Sequence, residues 1–214
     1  MKTFYTILVF IGICCIYSVD GRRRHVMATG RVLCSISGTS NPVPVQFTLV
    51  KLKDKDIIFH DTFGTTRTNN LGYFTVSGRA GDTFGNPDPF IEVEYEYSGV
   101  YGQMEVQQEL FGINRKDRTS TRGYSSHINF GDIIFSGDHC RAYVMTYDAM
   151  KDYRFRTGKA LPYSELKVVT RAPVHGGTPY ATTNKIRIPS GYNYNFEKAK
   201  HELAHTVRHT LVSY

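Results

Sequence analysis

Residues 91–97 read Ile-Glu-Val-Glu-Tyr-Glu-Tyr, with an apolar or aromatic side chain at every second position. A period of two is typical of a β-strand that turns one face to a core and the other to water, so the three glutamates are expected to face water. Residues 43–49 repeat the pattern. Their alternating apolar members are Val43, Val45, Phe47 and Leu49.

Turn-forming sequences separate these runs at short intervals. They include Asn69-Asn70-Leu71-Gly72, Ser77-Gly78 and Ser98-Gly99. No amphipathic helical pattern interrupts residues 28–136, so the sequence predicts a β-sandwich over this range.

The order of short motifs in the same range resembles the secreted transthyretin-like family. The motifs are Gly30-Arg-Val-Leu-Cys34, Pro44-Val45, Gly72-Tyr-Phe-Thr-Val-Ser-Gly78, Pro89-Phe-Ile-Glu-Val and Asn129-Phe-Gly-Asp-Ile-Ile-Phe135. The resemblance implies a sandwich of seven or eight strands. It implies no catalytic residues and no particular ligand, because a fold alone does not define a function.

The chain begins with a pattern typical of a secretory signal peptide over residues 1–21. Lys2 precedes an apolar run at 4–17, which is shorter than the ~20 residues that span a membrane. A membrane anchor is the alternative. Cleavage would leave Cys34 and Cys140, and two cysteines in an exported chain favour one disulfide, with two buried free thiols as the alternative.

The overall composition is that of a globular protein. The chain has 214 residues, of which 41% are hydrophobic and 21% charged, so wholesale disorder is excluded. Lys and Arg number 26 against 19 Asp and Glu, which gives a net charge of +7. Nucleic-acid binding would require a basic cluster on one face. The charges are interspersed outside residues 22–24, so no nucleic-acid partner is predicted. No second apolar run of comparable length follows the signal segment, so no membrane partner is predicted after cleavage.

After residue 136 the spacing of apolar residues changes. Apolar residues recur at helical spacing from Cys140 to Tyr153, with Asp138 as the expected N-cap and Gly158 as the expected end. Residues 166–169 and 183–188 are then predicted as strands.

The final segment contains His201-Glu-Leu-Ala-His205. On a helix at ~100° per residue, His205 lies ~40° and Glu202 ~100° from His201. An apolar stripe at ~160–300° would anchor the helix on another side. Its members are Phe196, Ala199, Leu203, Ala204, Val207 and Leu211. Two imidazoles one turn apart suit Zn²⁺, and Glu202 is placed as a general base for a zinc-activated water.

Residues 137–214 resemble the first half of a zincin metallopeptidase domain. The resemblance implies a zinc cofactor held by His201 and His205, Glu202 as the base, and an incomplete catalytic domain. It also implies that the strand at 183–188 is an edge strand that binds a peptide or protein substrate by β-addition. On this analogy the substrate-binding residues are Thr183, Lys185, Ile186 and Ile188.

The third zinc ligand is left open. A metzincin would have Gly at position 208 and His at position 211, where this chain has Arg208 and Leu211. His209 lies at ~80° on the histidine side and is a candidate, although three ligands at i+4 spacing strain a tetrahedral site. Alternatively, Arg208 and His209 orient the ligands or cap the C-terminus of the helix. A further alternative is that His201 and His205 are exposed residues of a surface helix.

Two functional hypotheses follow. The first is a secreted zinc metallopeptidase-like protein that hydrolyses peptide bonds if its catalytic domain is completed. The second is a non-catalytic extracellular binding module in which residues 28–136 do the binding and the tail is truncated or inactive.

Overall fold

The computed structural model describes residues 23–55, 61–81, 86–108, 116–172 and 177–212. The predicted signal peptide lies outside the described residues. In these ranges the chain forms thirteen strands and two helices, so it is rich in β-structure. Neither of the two helices described is long and apolar enough to cross a membrane.

Ten strands precede the first helix. They are β1 (Arg23–Cys34), β2 (Val43–Pro44), β3 (Leu49–Asp54), β4 (Thr62–Arg67), β5 (Tyr73–Gly81), β6 (Pro89–Glu94), β7 (Glu96–Gly99), β8 (Gly102–Gln108), β9 (Lys116–Arg118) and β10 (His127–Phe135). The remaining elements are α1 (Asp138–Thr157), β11 (Leu166–Ala172), β12 (Tyr180–Thr182), β13 (Lys185–Pro189) and α2 (Phe196–Val212).

The strands assemble into three sheets. In the amino-terminal sheet, β1 pairs with β10 in parallel and with β2 and β5 in antiparallel orientation. The charged sheet has the antiparallel order β4-β3-β6-β9. The mixed sheet has the order β12-β13-β11-β8-β7, and in it β11 runs parallel to both β13 and β8. The mixed sheet therefore takes strands from both sides of the predicted boundary at residue 136.

The predicted strand at 43–49 is interrupted. Phe47 has a φ of 54°, in the left-handed region that β-structure does not use. The chain turns there, so β3 starts at Leu49 with its alternation shifted by one position. Val50 is fully buried and Leu49 is only half-buried, which reverses the predicted inward face.

The α1 helix matches its predicted end but not its predicted start. Gly158 has a φ of 69°, and its N–H donates to the Arg154 carbonyl at 2.9 Å, so it ends the helix. Gly137, and not Asp138, is the N-cap residue. The Asp138 carboxylate instead accepts a hydrogen bond from Arg141 at 2.6 Å, within the first turn.

A disulfide joins Cys34 of β1 to Cys140 of α1, the pairing that the cysteine count favours. It fixes the first turn of α1 to the end of the longest strand in the described ranges. Tyr143 and Tyr147, on the same helix, are buried. Tyr143 contacts Tyr95, and Tyr147 contacts Tyr97 and Tyr101, with 5.1 Å between the ring centroids of Tyr97 and Tyr147.

Contrary to the sequence prediction, the glutamates of β6 do not face water. Glu92 is 0% exposed and Glu94 is 5% exposed. Because β6 lies between β3 and β9, basic side chains from both neighbours close over the two carboxylates. The basic residues are Lys51 and Lys53 of β3 and Lys116 and Arg118 of β9. We call these four residues the basic array.

The ion pairs set the protonation of the buried carboxylates. Burial by itself raises the pKa of Glu92, but the charges of Lys116, Lys53 and Arg118 bring it below its ordinary value of 4.5. Burial likewise raises the pKa of Glu94, and hydrogen bonds from Lys116 and Lys51 bring it below 4.5. Both groups therefore stay ionised in the folded protein at neutral pH.

We expect this cluster to make the fold sensitive to acid. Because both folded-state pKa values lie below 4.5, their stabilisation is complete above pH 4.5 and is lost as the pH falls through the lower folded values. The double variant Glu92→Gln/Glu94→Gln should be less stable at pH 7 and should show a shallower loss of stability below pH 4.5. Urea denaturation across this pH range measures both effects. The account would be contradicted if the double variant lost stability below pH 4.5 as steeply as the wild type and the exposed-site control Glu197→Gln.

Candidate metal centre

Helix α2 carries the His-Glu-x-x-His sequence and begins with a side-chain cap. The Asn195 side-chain oxygen accepts a hydrogen bond from the Lys198 N–H at 2.9 Å, which satisfies one of the free amides of the first turn. The helix then continues without interruption to Val212 and packs against α1, β12 and β13.

The packed face of α2 is wider than its apolar residues suggest. Its buried residues are Ala199, Glu202, Leu203, Thr206, Val207 and Thr210. The Thr206 hydroxyl contacts the Tyr163 hydroxyl at 2.7 Å, and the Thr210 hydroxyl donates to the Thr183 carbonyl at 3.0 Å. Two threonines with satisfied hydroxyls therefore belong to the interior.

This packing corrects the predicted orientation of α2. The helix is turned so that Glu202 points toward the interior, whereas Ala204 and Leu211, which were expected in the anchoring stripe, are exposed. The prediction counted only apolar side chains. It missed the threonines because nothing local to the helix shows that their hydroxyls find partners on Tyr163 and Thr183.

The two predicted ligands face one another on the open side of α2. Nε2 of His201 and Nε2 of His205 are 3.1 Å apart, and their ring centroids are separated by 4.6 Å. Two nitrogens bound tetrahedrally to zinc at ~2.0–2.1 Å lie ~3.3 Å apart. The distance is close to that spacing, and in the metal-free pair it is that of a hydrogen bond between the two rings.

His209 continues the row by one more turn. Its ring centroid is 6.4 Å from that of His205, a wider separation than within the first pair, and its side chain is exposed. Over the ranges that the structure describes, no group of three His, Cys, Asp or Glu residues is close enough to hold one metal ion. Zinc bound here would complete its coordination with water or with residues elsewhere.

Glu202 is not on the histidine side. Its side chain lies in the buried face at 6% exposure, near Tyr194. Burial raises the pKa of the Tyr194 hydroxyl, and the negative charge of Glu202 also raises it. Within the described part of the chain, its carboxylate accepts no hydrogen bond and forms no ion pair. The arrangement separates the expected general base from the expected ligands.

The predicted substrate strand is also placed differently. Thr183 lies in a turn, and Lys185–Pro189 forms β13, which is paired on both sides, with β11 and with β12. Ile186 and Ile188 are buried, so they are core residues and cannot line an open cleft. The extra strand Tyr180–Thr182, which the sequence pattern does not indicate, is what removes β13 from the edge.

A groove runs beside His201, between α1 and α2. Its volume is about 620 Å³, and Asp152 and Arg156 of α1 face Glu197 and Lys200 of α2 across it. His201 is one of its lining residues, and the lining carries both signs of charge.

Comparison with known proteins assigns no family. No protein-family model matches the chain, and no curated protein matches it. Several solved structures, including the following three, show weak similarity. The 9R-lipoxygenase from Cyanothece PCC8801 is 15% identical over 52% of this chain and 16% of its own length, with a TM-score of 0.33.

The other two are similarly distant. The major plantain pollen allergen Pla l 1 is 12% identical over 53% of this chain and 94% of its own, with a TM-score of 0.30. (S)-allantoin synthase is 13% identical over 51% of this chain and 41% of its own, with a TM-score of 0.27. Similarity at this level carries no argument about function.

We predict that Glu202→Gln stabilises the protein. A buried carboxylate that accepts no hydrogen bond costs more free energy than a neutral amide of nearly the same shape, although the amide also loses hydration, so the free energy of unfolding should rise by about 1 kcal/mol. Chemical denaturation at pH 7 measures the difference. The matched control is Glu197→Gln on the same helix, whose side chain is 87% exposed, and its effect should stay within about 0.5 kcal/mol. A loss of stability in Glu202→Gln would show that the carboxylate has a favourable partner.

Proposed function

We propose that this protein is a secreted zinc metallopeptidase-like protein whose last helix binds zinc through His201 and His205. The observation that supports the proposal most strongly is the 3.1 Å separation of the two Nε2 atoms on the open face of α2. Secretion is supported by the signal-like segment and by the Cys34–Cys140 disulfide, since disulfides persist in oxidising compartments.

We infer that residues 28–136 form a transthyretin-like sandwich. The amino-terminal sheet and the charged sheet bury apolar side chains in a shared core, with Val32 and Phe74 from the first and Val50 and Ile91 from the second. We infer that this part is the scaffold against which α1, and through it α2, is held.

The chemistry that zinc would supply is activation of a water for attack on a peptide carbonyl. This chain's own residues provide the imidazole pair for holding the metal and an adjacent charged groove for a peptide. The buried Glu202 does not provide a base on the metal side. Hydrolysis would thus require both a further ligand and a rotation of α2 that exposes Glu202.

The burial of Glu202 favours a second candidate, a non-catalytic extracellular binding module. In that case residues 28–136 do the binding, and the tail that carries the histidine pair is inactive. The two candidates differ in one measurable property, which is peptide hydrolysis by the zinc-loaded protein.

Zinc titration of the purified full chain tests the metal-binding part of the first candidate. We expect one zinc per chain, and we expect His201→Ala or His205→Ala to weaken binding by at least about 10- to 100-fold, since even residues that only support a ligand cost that much. His127→Ala is the control because His127 is an exposed histidine on β10. Isothermal titration calorimetry measures all four proteins. Absence of zinc binding, or equal weakening by His127→Ala, would contradict the proposal.

A further inference from the structure

We propose that the outer face of the charged sheet binds a linear sulfated polysaccharide through the basic array. The array combines residues 51, 53, 116 and 118, which are far apart in the sequence and adjacent only in the sheet. This inference uses no part of the zinc site and holds whether or not zinc is bound.

The array carries more positive charge than its carboxylates balance. Four cations surround two carboxylates, which leaves a formal excess of two positive charges. The contacts are Lys51 Nζ–Glu94 at 2.7 Å, Lys53 Nζ–Glu92 at 3.3 Å, Lys116 Nζ–Glu94 at 2.6 Å, Lys116 Nζ–Glu92 at 3.6 Å and Arg118 Nε–Glu92 at 2.7 Å. The neighbouring pair Arg67–Glu96, at 2.6 Å, adds no net charge.

The cations lie above the carboxylates. The side chains of Glu92 and Glu94 are 0% and 7% exposed, and those of Lys51 and Lys53 are 24% and 14% exposed. Those of Lys116 and Arg118 are 34% and 47% exposed, so the two β9 cations are the most accessible groups of the array. A ligand that approaches this face meets ammonium and guanidinium groups first. Because Lys and Arg each carry several N–H donors, the groups keep donors available after pairing with the glutamates.

The sheet gathers these cations into one cluster. The backbones of β3 and β9 are ~10 Å apart because β6 lies between them, but the charged ends of their side chains converge. The Nζ atoms of Lys51 and Lys116 lie 2.7 Å and 2.6 Å from the same Glu94 oxygen, so the two ammonium groups are no further apart than the sum of those distances. A compact cluster with excess positive charge suits a chain that carries closely spaced sulfate groups. Charge complementarity of this kind gives affinity that decreases as salt rises.

The chemistry of the surface favours a sulfated polysaccharide over a nucleic acid. Single-stranded nucleic acids are held by base stacking on aromatic side chains in addition to phosphate contacts. The ring beside the array is Phe90, which is 3% exposed and lies under the Arg118 guanidinium at 5.7 Å. The array therefore offers cations for sulfate groups and no open ring for a base.

Binding of the full chain to heparin tests the proposal, with variants that separate position from net charge. Arg118→Gln should weaken binding about two- to fivefold, the effect of one partly exposed charge, and should lower the salt dependence by about one ion. Its control is Arg156→Gln, which removes the same charge from an exposed site on α1. Glu94→Gln should tighten binding by a similar factor, whereas its charge-matched control Glu197→Gln should not.

The outcomes are distinguishable. Salt-sensitive heparin binding that changes with Arg118 and Glu94 but not with their controls supports the proposal, with folding of each variant checked by circular dichroism and thermal unfolding. No salt-sensitive binding, or equal effects of array and control variants, overturns it. Equal or tighter binding to oligo-dT of matched charge, or to phosphatidylserine vesicles, also overturns it, because the partner would then be of another class.

Discussion

The parallel pairing of β8 with β11 is the constraint on which the rest of the structure depends. It joins residues 102–108 to residues 166–172 in one sheet, so the strand-rich first part and the helix-containing second part share backbone hydrogen bonds. Parallel strands require a long crossover connection, and here that connection contains β9, β10 and α1. The position of α1 follows, because it must cover the mixed sheet while the disulfide holds its first turn to β1.

The position of α2 follows in turn from α1 and the mixed sheet. Helix α2 packs on α1 and on β12 and β13, and its threonines and Glu202 are enclosed by that packing. The side that remains open is the side that carries His201 and His205. The packing that exposes the imidazole pair therefore also buries the Glu202 carboxylate, which a hydrolase would use as its base. For this physical reason the structure favours metal binding over catalysis.

Local patterns predicted the elements whose determinants are local. The end of α1 at Gly158, the strand at 166–169 and a helix around His201 and His205 all depend on residues within one or two turns. The failures involve partners distant in sequence. The sequence places Glu92 and Glu94 in water because their cations come from β3 and β9. For the packed face of α2 it predicts Ala199, Leu203 and Val207 correctly. It misses the buried threonines, because their partners Tyr163 and Thr183 are distant in sequence. The turn at Phe47 and the strand β12 have no clear local pattern in the sequence. Because β12 is missed, β13 is wrongly interpreted as an edge strand.

The central claim is that α2 turns its imidazole pair outward while Glu202 faces Tyr194. A crystal structure of the zinc-loaded protein tests it most directly. The account predicts zinc ~2.0–2.1 Å from Nε2 of His201 and Nε2 of His205, with the Glu202 carboxylate still enclosed beside Tyr194. Zinc elsewhere on the molecule, or Glu202 on the metal side of the helix, would contradict it.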